Sequence, residues 1–219
     1  MIGIDKIVNL LKHPIVESNN YINSCHDKLK KESVLQLDNF LTDEAISLLQ
    51  NEAKKLHGQA YYCCQFHTIL LNKKDEEISD QDPCNIEVKS DKGCVPHDLI
   101  PSKSFLNQIY KSDEFKEFIK KVLGVKNIYP YKDNLSSINY NYYEKFQQLG
   151  WHFDNASFAI TLMIDSPDKG GVFQYITKGR DYENNYVDKN LISKVIKGNE
   201  NVNELQVKPG SLILFYGRN

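Results

Sequence analysis

From residue 136 onward, short runs of apolar, β-branched or aromatic residues alternate with turn-forming residues, and no other feature of the sequence constrains the fold as much. The runs cover residues 136–143, 158–164, 172–176 and 211–216, with Gly170, Gly171, Pro209 and Gly210 marking turns between them. Several short strands with turn signals predict a β-sandwich or barrel. Upstream the period changes. Thr42, followed by Asp43 and Glu44, reads as a helix N-cap with acids at the positive end of the dipole. Ala45, Leu48, Leu49, Ala53 and Leu56 then recur on one face until Gly58. A second helical pair opens at Ser102 and Ser112, the latter with Phe115, Phe118, Ile119, Val122 and Leu123 on one stripe and Gly124 at its end. Residues 1–12 mix Ile, Val and Leu with Asp5, Lys6 and Asn9 and predict an amphipathic first helix. The charged stretch 73–91 reads as a loop, and the Asn- and Lys-rich stretch 181–203 as a long surface excursion.

The fold class expected is therefore α+β with a mainly β core: one domain over 1–219, helical in 1–127 and β in 128–219, with the helices on one outer face. No apolar run approaches the roughly 18 residues that a membrane helix needs, and the N-terminus lacks a signal-peptide pattern. The five cysteines are irregularly spaced, with Cys63 beside Cys64, which suits reduced thiols and a cytoplasmic location. Lysines are scattered and the net charge is −2, so nucleic acid is a poor partner. Nothing in the sequence speaks to oligomeric state.

Chemistry concentrates at Trp151-His152-Phe153-Asp154. On an extended backbone, side chains two apart share a face, so His152 and Asp154 can converge. An imidazole and a carboxylate together form two-thirds of the facial triad that holds non-haem Fe(II). H-x-D by itself is equally a hydrogen-bonded pair that needs no metal. Two C-x-x-H pairs, Cys64/His67 and Cys94/His97, carry zinc-ligand types. Residues 66–71 read as a strand, however, where positions three apart face opposite ways.

The segments 150–158 (GWHFDNASF), 170–173 (GGVF) and 208–215 (KPGSLILF) resemble successive core strands of Fe(II)- and 2-oxoglutarate-dependent oxygenases. They are most similar to the group acting on free amino acids, which includes hydroxylases and radical halogenases. The likeness extends upstream through Tyr129-Pro130-Tyr131-Lys132-Asp133 and Ile138-Asn139-Tyr140. It implies a double-stranded β-helix, a jelly-roll fold of the cupin kind. It implies Fe(II) on His152 and Asp154, with 2-oxoglutarate and dioxygen as cosubstrates and a small-molecule substrate. Oxidative decarboxylation to succinate would be coupled to attack on an unactivated C–H bond. Halogenases of this type replace the carboxylate by a small residue, so Asp154 favours hydroxylation.

Asn139 and Tyr143 share a strand face and could hydrogen-bond the cosubstrate, although Tyr there is also an ordinary β-former. Asn155 could touch substrate or serve as a turn residue. In the resembled family a second iron-binding histidine and a 2-oxoglutarate-anchoring arginine come after the strand matching 209–217. No histidine follows Asp154, and the arginines are Arg180 and Arg218. The expectation is a fragment with an incomplete β-helix core, which alone binds Fe(II) weakly. The alternative is an inactive remnant that serves as a small-acid or protein binding module.

Overall fold

The computed structural model describes residues 2–218. It is a mixed α/β structure in which the strand pairs within the sheets are antiparallel. Four helices come from the first part of the chain: α1 (Asn19–Glu32), α2 (Asp43–Leu56), α3 (Phe105–Lys111) and α4 (Asp113–Leu123). Thr42 Oγ1 accepts from Ala45 N–H and Ser112 Oγ from Phe115 N–H, so both expected caps form. α3 is capped by Ser104 rather than Ser102. Gly124 ends α4 at φ +67°, the left-handed conformation that glycine adopts without a Cβ penalty. A Cβ there would also meet His26 Cε1 at 2.9 Å. That ring belongs to α1, and its Nδ1–H donates to the Val122 carbonyl at 2.8 Å, satisfying a carbonyl at the end of α4.

The expected division into a helical 1–127 and a β remainder does not hold. Strands β1 (Val34–Leu37), β2 (Tyr61–His67) and β3 (Val88–Pro96) all precede residue 128. β1 is too short to read as a strand by itself; it exists because it pairs with β10 (Leu212–Tyr216), whose other edge takes β5 (Phe158–Leu162). Charged Lys89, Asp91 and Lys92 disguise β3, which instead pairs with β2 on one side and β4 (Asn139–Tyr142) on the other. It therefore corrects the loop expected over 73–91, and β2 corrects the strand expected over 66–71. The remaining pairs are β6 (Phe173–Tyr175) with β9 (Asn203–Leu205), and β7 (Arg180–Asp181) with β8 (Tyr186–Val187).

The first helix expected over 1–12 is a 3-10 turn, Ile4–Lys6, for the residues described. Its β-branched Ile and Val residues disfavour a helix, and its backbone finds partners elsewhere. Asn9 N–H donates to Phe40 O, Thr42 N–H to Ile7 O, and Val8 bridges Leu41. The stretch 181–203 is also more ordered than expected. After the β7–β8 hairpin, Asp188 caps α5 (Lys189–Ile196), which buries Ile192 and Val195.

The main core lies between the helices and both three-stranded sheets. Phe118, Ile119 and Val122 of α4, Leu29 of α1 and Leu49 of α2 meet Leu35, Leu212 and Leu214 of one sheet and Val95 and Tyr140 of the other. α2 is clamped to β4 by Tyr140 Oη–H to Glu52 Oε1 at 2.7 Å and Tyr142 Oη–H to the Ala53 carbonyl at 2.7 Å. One face of the second sheet is thus fixed against helix, leaving its other face to serve the site. Leu48, expected on the buried stripe of α2, is 46% exposed. Phe118 is fully buried and stacks near Phe40 and Tyr21. Phe118→Ala should cost about 3–5 kcal/mol, and Leu48→Ala less than about 1 kcal/mol. Urea denaturation with an unchanged slope would show both, and equal effects would place the core elsewhere.

Candidate active site

His152 and Asp154 lie in an extended segment outside any strand, and two backbone bonds hold it between separate parts of the chain. Phe153 N–H donates to Ile69 O at 2.8 Å, and Asp154 N–H to Gly217 O at 2.7 Å. The Phe153 ring is buried with Ile69 and Ile192, and its neighbours on either side come together. His152 Nε2 lies 3.2 Å from Asp154 Oδ1, with both side chains mostly buried.

Gly217 is required at the second anchor. A Cβ there would lie 2.5 Å from Asp154 Cβ and 2.6 Å from Oδ2. Gly150 is similarly constrained, since a Cβ would sit 2.7 Å from the Lys89 carbonyl of β3.

The imidazole has a fixed tautomer. Gly150 O can only accept, so the 2.7 Å contact makes His152 Nδ1 the N–H donor. Nε2 is then free to offer its lone pair on the side where Asp154 stands, the arrangement that orients metal-binding histidines. Burial pushes the His152 pKa down, but the hydrogen bonds with Asp154 and Gly150 outweigh it and lift the pKa above 6.5. A cation bound between Nε2 and Oδ1 would take the place of that proton.

A second histidine supports this geometry without joining it. Gly150 N–H donates to Ser90 Oγ at 2.9 Å, and Ser90 Oγ–H donates to His67 Nε2 at 2.7 Å. His67 Nδ1–H ends the relay on the Thr68 carbonyl at 2.8 Å. Ser90 and His67 are both buried, and the His67 ring stands edge-on to His152 with centroids 6.0 Å apart. Gly150 thus receives one end of the relay on its N–H and holds His152 with its carbonyl.

Strand alternation places Ser90, Lys92 and Cys94 of β3 on one face, with Asn139, Asn141 and, one residue beyond β4, Tyr143. This is the face opposite Tyr140 and Tyr142, and it carries Ser90 toward the site. The positive charge of Lys92 works against protonation of His152. Asn139 Oδ1 accepts from Asn141 at 2.7 Å, and Tyr143 is half exposed. Asn155 is exposed beside Asp154, and its carbonyl accepts from Arg218 Nε–H at 2.8 Å.

The other metal-ligand types are used differently. Both nitrogens of His67 are engaged as described. His97 Nε2–H donates to Asn107 Oδ1 at 2.8 Å, while Nδ1 accepts from Ser137 Oγ at 2.5 Å. Cys64 is exposed on β2, three residues from the buried His67 and on the opposite face. Among the described residues no three His, Cys, Asp or Glu side chains gather as a metal site. The His152–Asp154 pair therefore supplies two donors of types suited to Fe(II), a partial fit.

Sequence reasoning missed Ser90, His67 as a support, Lys92 and Gly217. Only the lone serine and alternating residues of β3 offered a signal, and that strand was itself hidden among charges.

The sequence profile described as HalD: Halogenase D matches residues 17–215. No curated protein matches the chain.

If the relay holds His152 in place, Ser90→Ala should weaken binding of a divalent ion about 10-fold or more, with Ser90→Thr closer to wild type. Gly217→Ala should have the larger effect because it displaces Asp154 directly. Calorimetric titration with Co(II) tests both, and wild-type affinity in folded Ser90→Ala would remove the relay from the site.

Proposed function

Because the chain belongs to the halogenase D family, we propose that it carries the core of an Fe(II)- and 2-oxoglutarate-dependent oxygenase that hydroxylates a small molecule such as a free amino acid. The observation that carries this reading is the paired presentation of His152 Nε2 and Asp154 Oδ1, 3.2 Å apart, with the imidazole tautomer fixed by Gly150 O. The antiparallel sheets support a double-stranded β-helix, the jelly roll that this chemistry uses. His152 and Asp154 would hold the iron, a nitrogen and an oxygen donor of the facial triad.

When bound, iron and 2-oxoglutarate supply the dioxygen-activating oxidative chemistry, and the protein's own residues bind, orient and exclude water. Phe153, buried with Ile69 and Ile192, closes the rear of the site to solvent. The Ser90–His67 relay fixes Gly150 and thereby the direction of His152. On this reading Asn139 and Tyr143, which share the open face of the β3–β4 pair, would hydrogen-bond the cosubstrate. On this reading Asn155, exposed beside Asp154, would meet the substrate.

Asp154 decides between products. With iron bound, its carboxylate would supply a donor at the place where halogenases of this type have a small residue and leave room for halide. The reading is therefore hydroxylation, within a family whose name records halogenation.

The full-length protein, supplied with Fe(II), 2-oxoglutarate and a pool of free amino acids with and without chloride, should form succinate and a product heavier by one oxygen. His152→Ala and Asp154→Ala should each abolish iron binding and turnover while melting cooperatively, because ligands facing a polar cavity add little to the core. A chlorinated product would overturn the hydroxylase reading. Full iron binding by either variant would overturn the assignment of ligands.

A further inference from the structure

Three side chains that the candidate active site does not use meet on the opposite face of the second sheet. His57 Nε2 lies 2.9 Å from Glu144 Oε1 and 2.8 Å from Tyr62 Oη, and Tyr62 Oη lies 3.0 Å from the same Glu144 oxygen. The registers of β2, β3 and β4 set Tyr62, Gly93 and Tyr142 in one cross-strand row, and Glu144 follows Tyr142 by two residues. That row is on the side of the sheet away from Ser90, Lys92 and Tyr143.

Separate elements hold each group. His57 opens the 3-10 turn His57–Gln59 at the end of α2, and its ring packs edge-on against Tyr142 with centroids 5.0 Å apart. Tyr142 is itself tied to α2 through the Ala53 carbonyl. The Tyr62 ring crosses Gly93, where a Cβ would meet it at 2.7 Å, the close approach that a strand glycine permits. Glu144 sits in a turn closed by Gln147 N–H to its carbonyl at 3.0 Å and by its own N–H to Gln147 Oε1 at 2.7 Å. The three atoms are thus presented together from the end of α2, from β2 and from the turn after β4, and all three side chains are partly exposed.

Hydrogen bonding alone fits this triangle poorly. Its three edges call for three bridging protons, but an ionised carboxylate brings none, the phenol one, and the imidazole at most one on Nε2. At least one edge therefore sets lone pairs against each other or shares a badly bent hydrogen. A cation would serve all three edges at once. Nitrogen and oxygen ligands held at right angles about 2.1 Å from a metal lie about 3.0 Å from each other, which is the spacing of these atoms. Imidazole with two oxygen donors suits a divalent first-row transition ion. Among the described residues no Lys or Arg nitrogen comes within 4.0 Å of the Glu144 carboxylate, whose ion pair is with His57.

We propose that His57, Tyr62 and Glu144 form a separate metal site, a facial set of one nitrogen and two oxygens that takes a divalent first-row transition ion such as Zn(II), with water in the open positions. The site does not depend on the oxygenase reading. A bound ion would join the end of α2 to the edge strand β2 and to the turn after β4, and so add to the stability of the second sheet. Sequence distance hides the site, since 87 positions separate His57 from Glu144.

The test is calorimetric titration of the full-length protein with Zn(II), in the wild type and in a double variant, His152→Ala with Asp154→Ala, that lacks the candidate iron ligands. The double variant should keep one equivalent of Zn(II), and its melting temperature should rise as Zn(II) is added. Tyr62→Phe keeps the ring over Gly93, and Glu144→Gln keeps an oxygen in place, so both should fold. In each of them, and in His57→Ala, loss of a direct donor should weaken this equivalent by more than the roughly tenfold that losing an outer-shell partner costs. Absence of a Zn(II) equivalent from the folded double variant would overturn the site, as would undiminished affinity in folded Tyr62→Phe and Glu144→Gln. Should the double variant not fold, the single variants are compared with the wild type directly. There Tyr62→Phe should weaken one of the Zn(II) equivalents, and unchanged stoichiometry and affinity would overturn the site.

Discussion

The site depends on one short crossing of extended chain. Through Phe153 N–H to Ile69 O and Asp154 N–H to Gly217 O, residues 152–154 join the turn after β2 to the end of β10, and so link the two three-stranded sheets. Buried backbone groups must find partners, and here the partners come from two distant segments. The same constraint turns Phe153 into the small core with Ile69 and Ile192 and leaves His152 and Asp154 facing together. A slip of one residue would exchange the ring for the His152 and Asp154 side chains.

Everything near the crossing serves to keep it in register. β10 is buried on both faces and held by β1 and β5, so Gly217 is presented from a rigid strand. The Tyr140 and Tyr142 hydroxyls tie β4 to α2, which fixes the platform from which Ser90 and Lys92 reach the site. The Ser90–His67 relay transmits that placement to Gly150 and so to the imidazole. The candidate pair, carried outside any strand, thereby acquires the rigidity of the sheets around it, as a precise site requires.

On the proposed reading, membership of the halogenase D family and the presence of Asp154 pull in different directions on the product. Fold does not fix function, which resides in the individual side chains of a site. Asp154 next to the imidazole also occupies space, and Gly217 must lack a Cβ for it to fit.

By itself, the sequence determined the elements whose signal is local. Thr42, Ser112 and Gly124 bound helices through contacts within a turn, and the runs at 158–164, 172–176 and 211–216 contain strands that alternate and end at turn residues. The spacing of His152 and Asp154 showed that the two could meet. What the sequence left open was settled by partners far along the chain. β1 needs β10, β3 needs β2 and β4 to be a strand despite Lys89 and Asp91, and the residues before Pro14 give up a helix because segment 40–42 offers their backbone other bonds. The convergence of Ser90 and His67 behind Gly150 has the same origin. Hydrogen bonds within one turn are written in neighbouring residues, whereas packing and long-range pairing bring together residues whose spacing in sequence carries no trace of their contact.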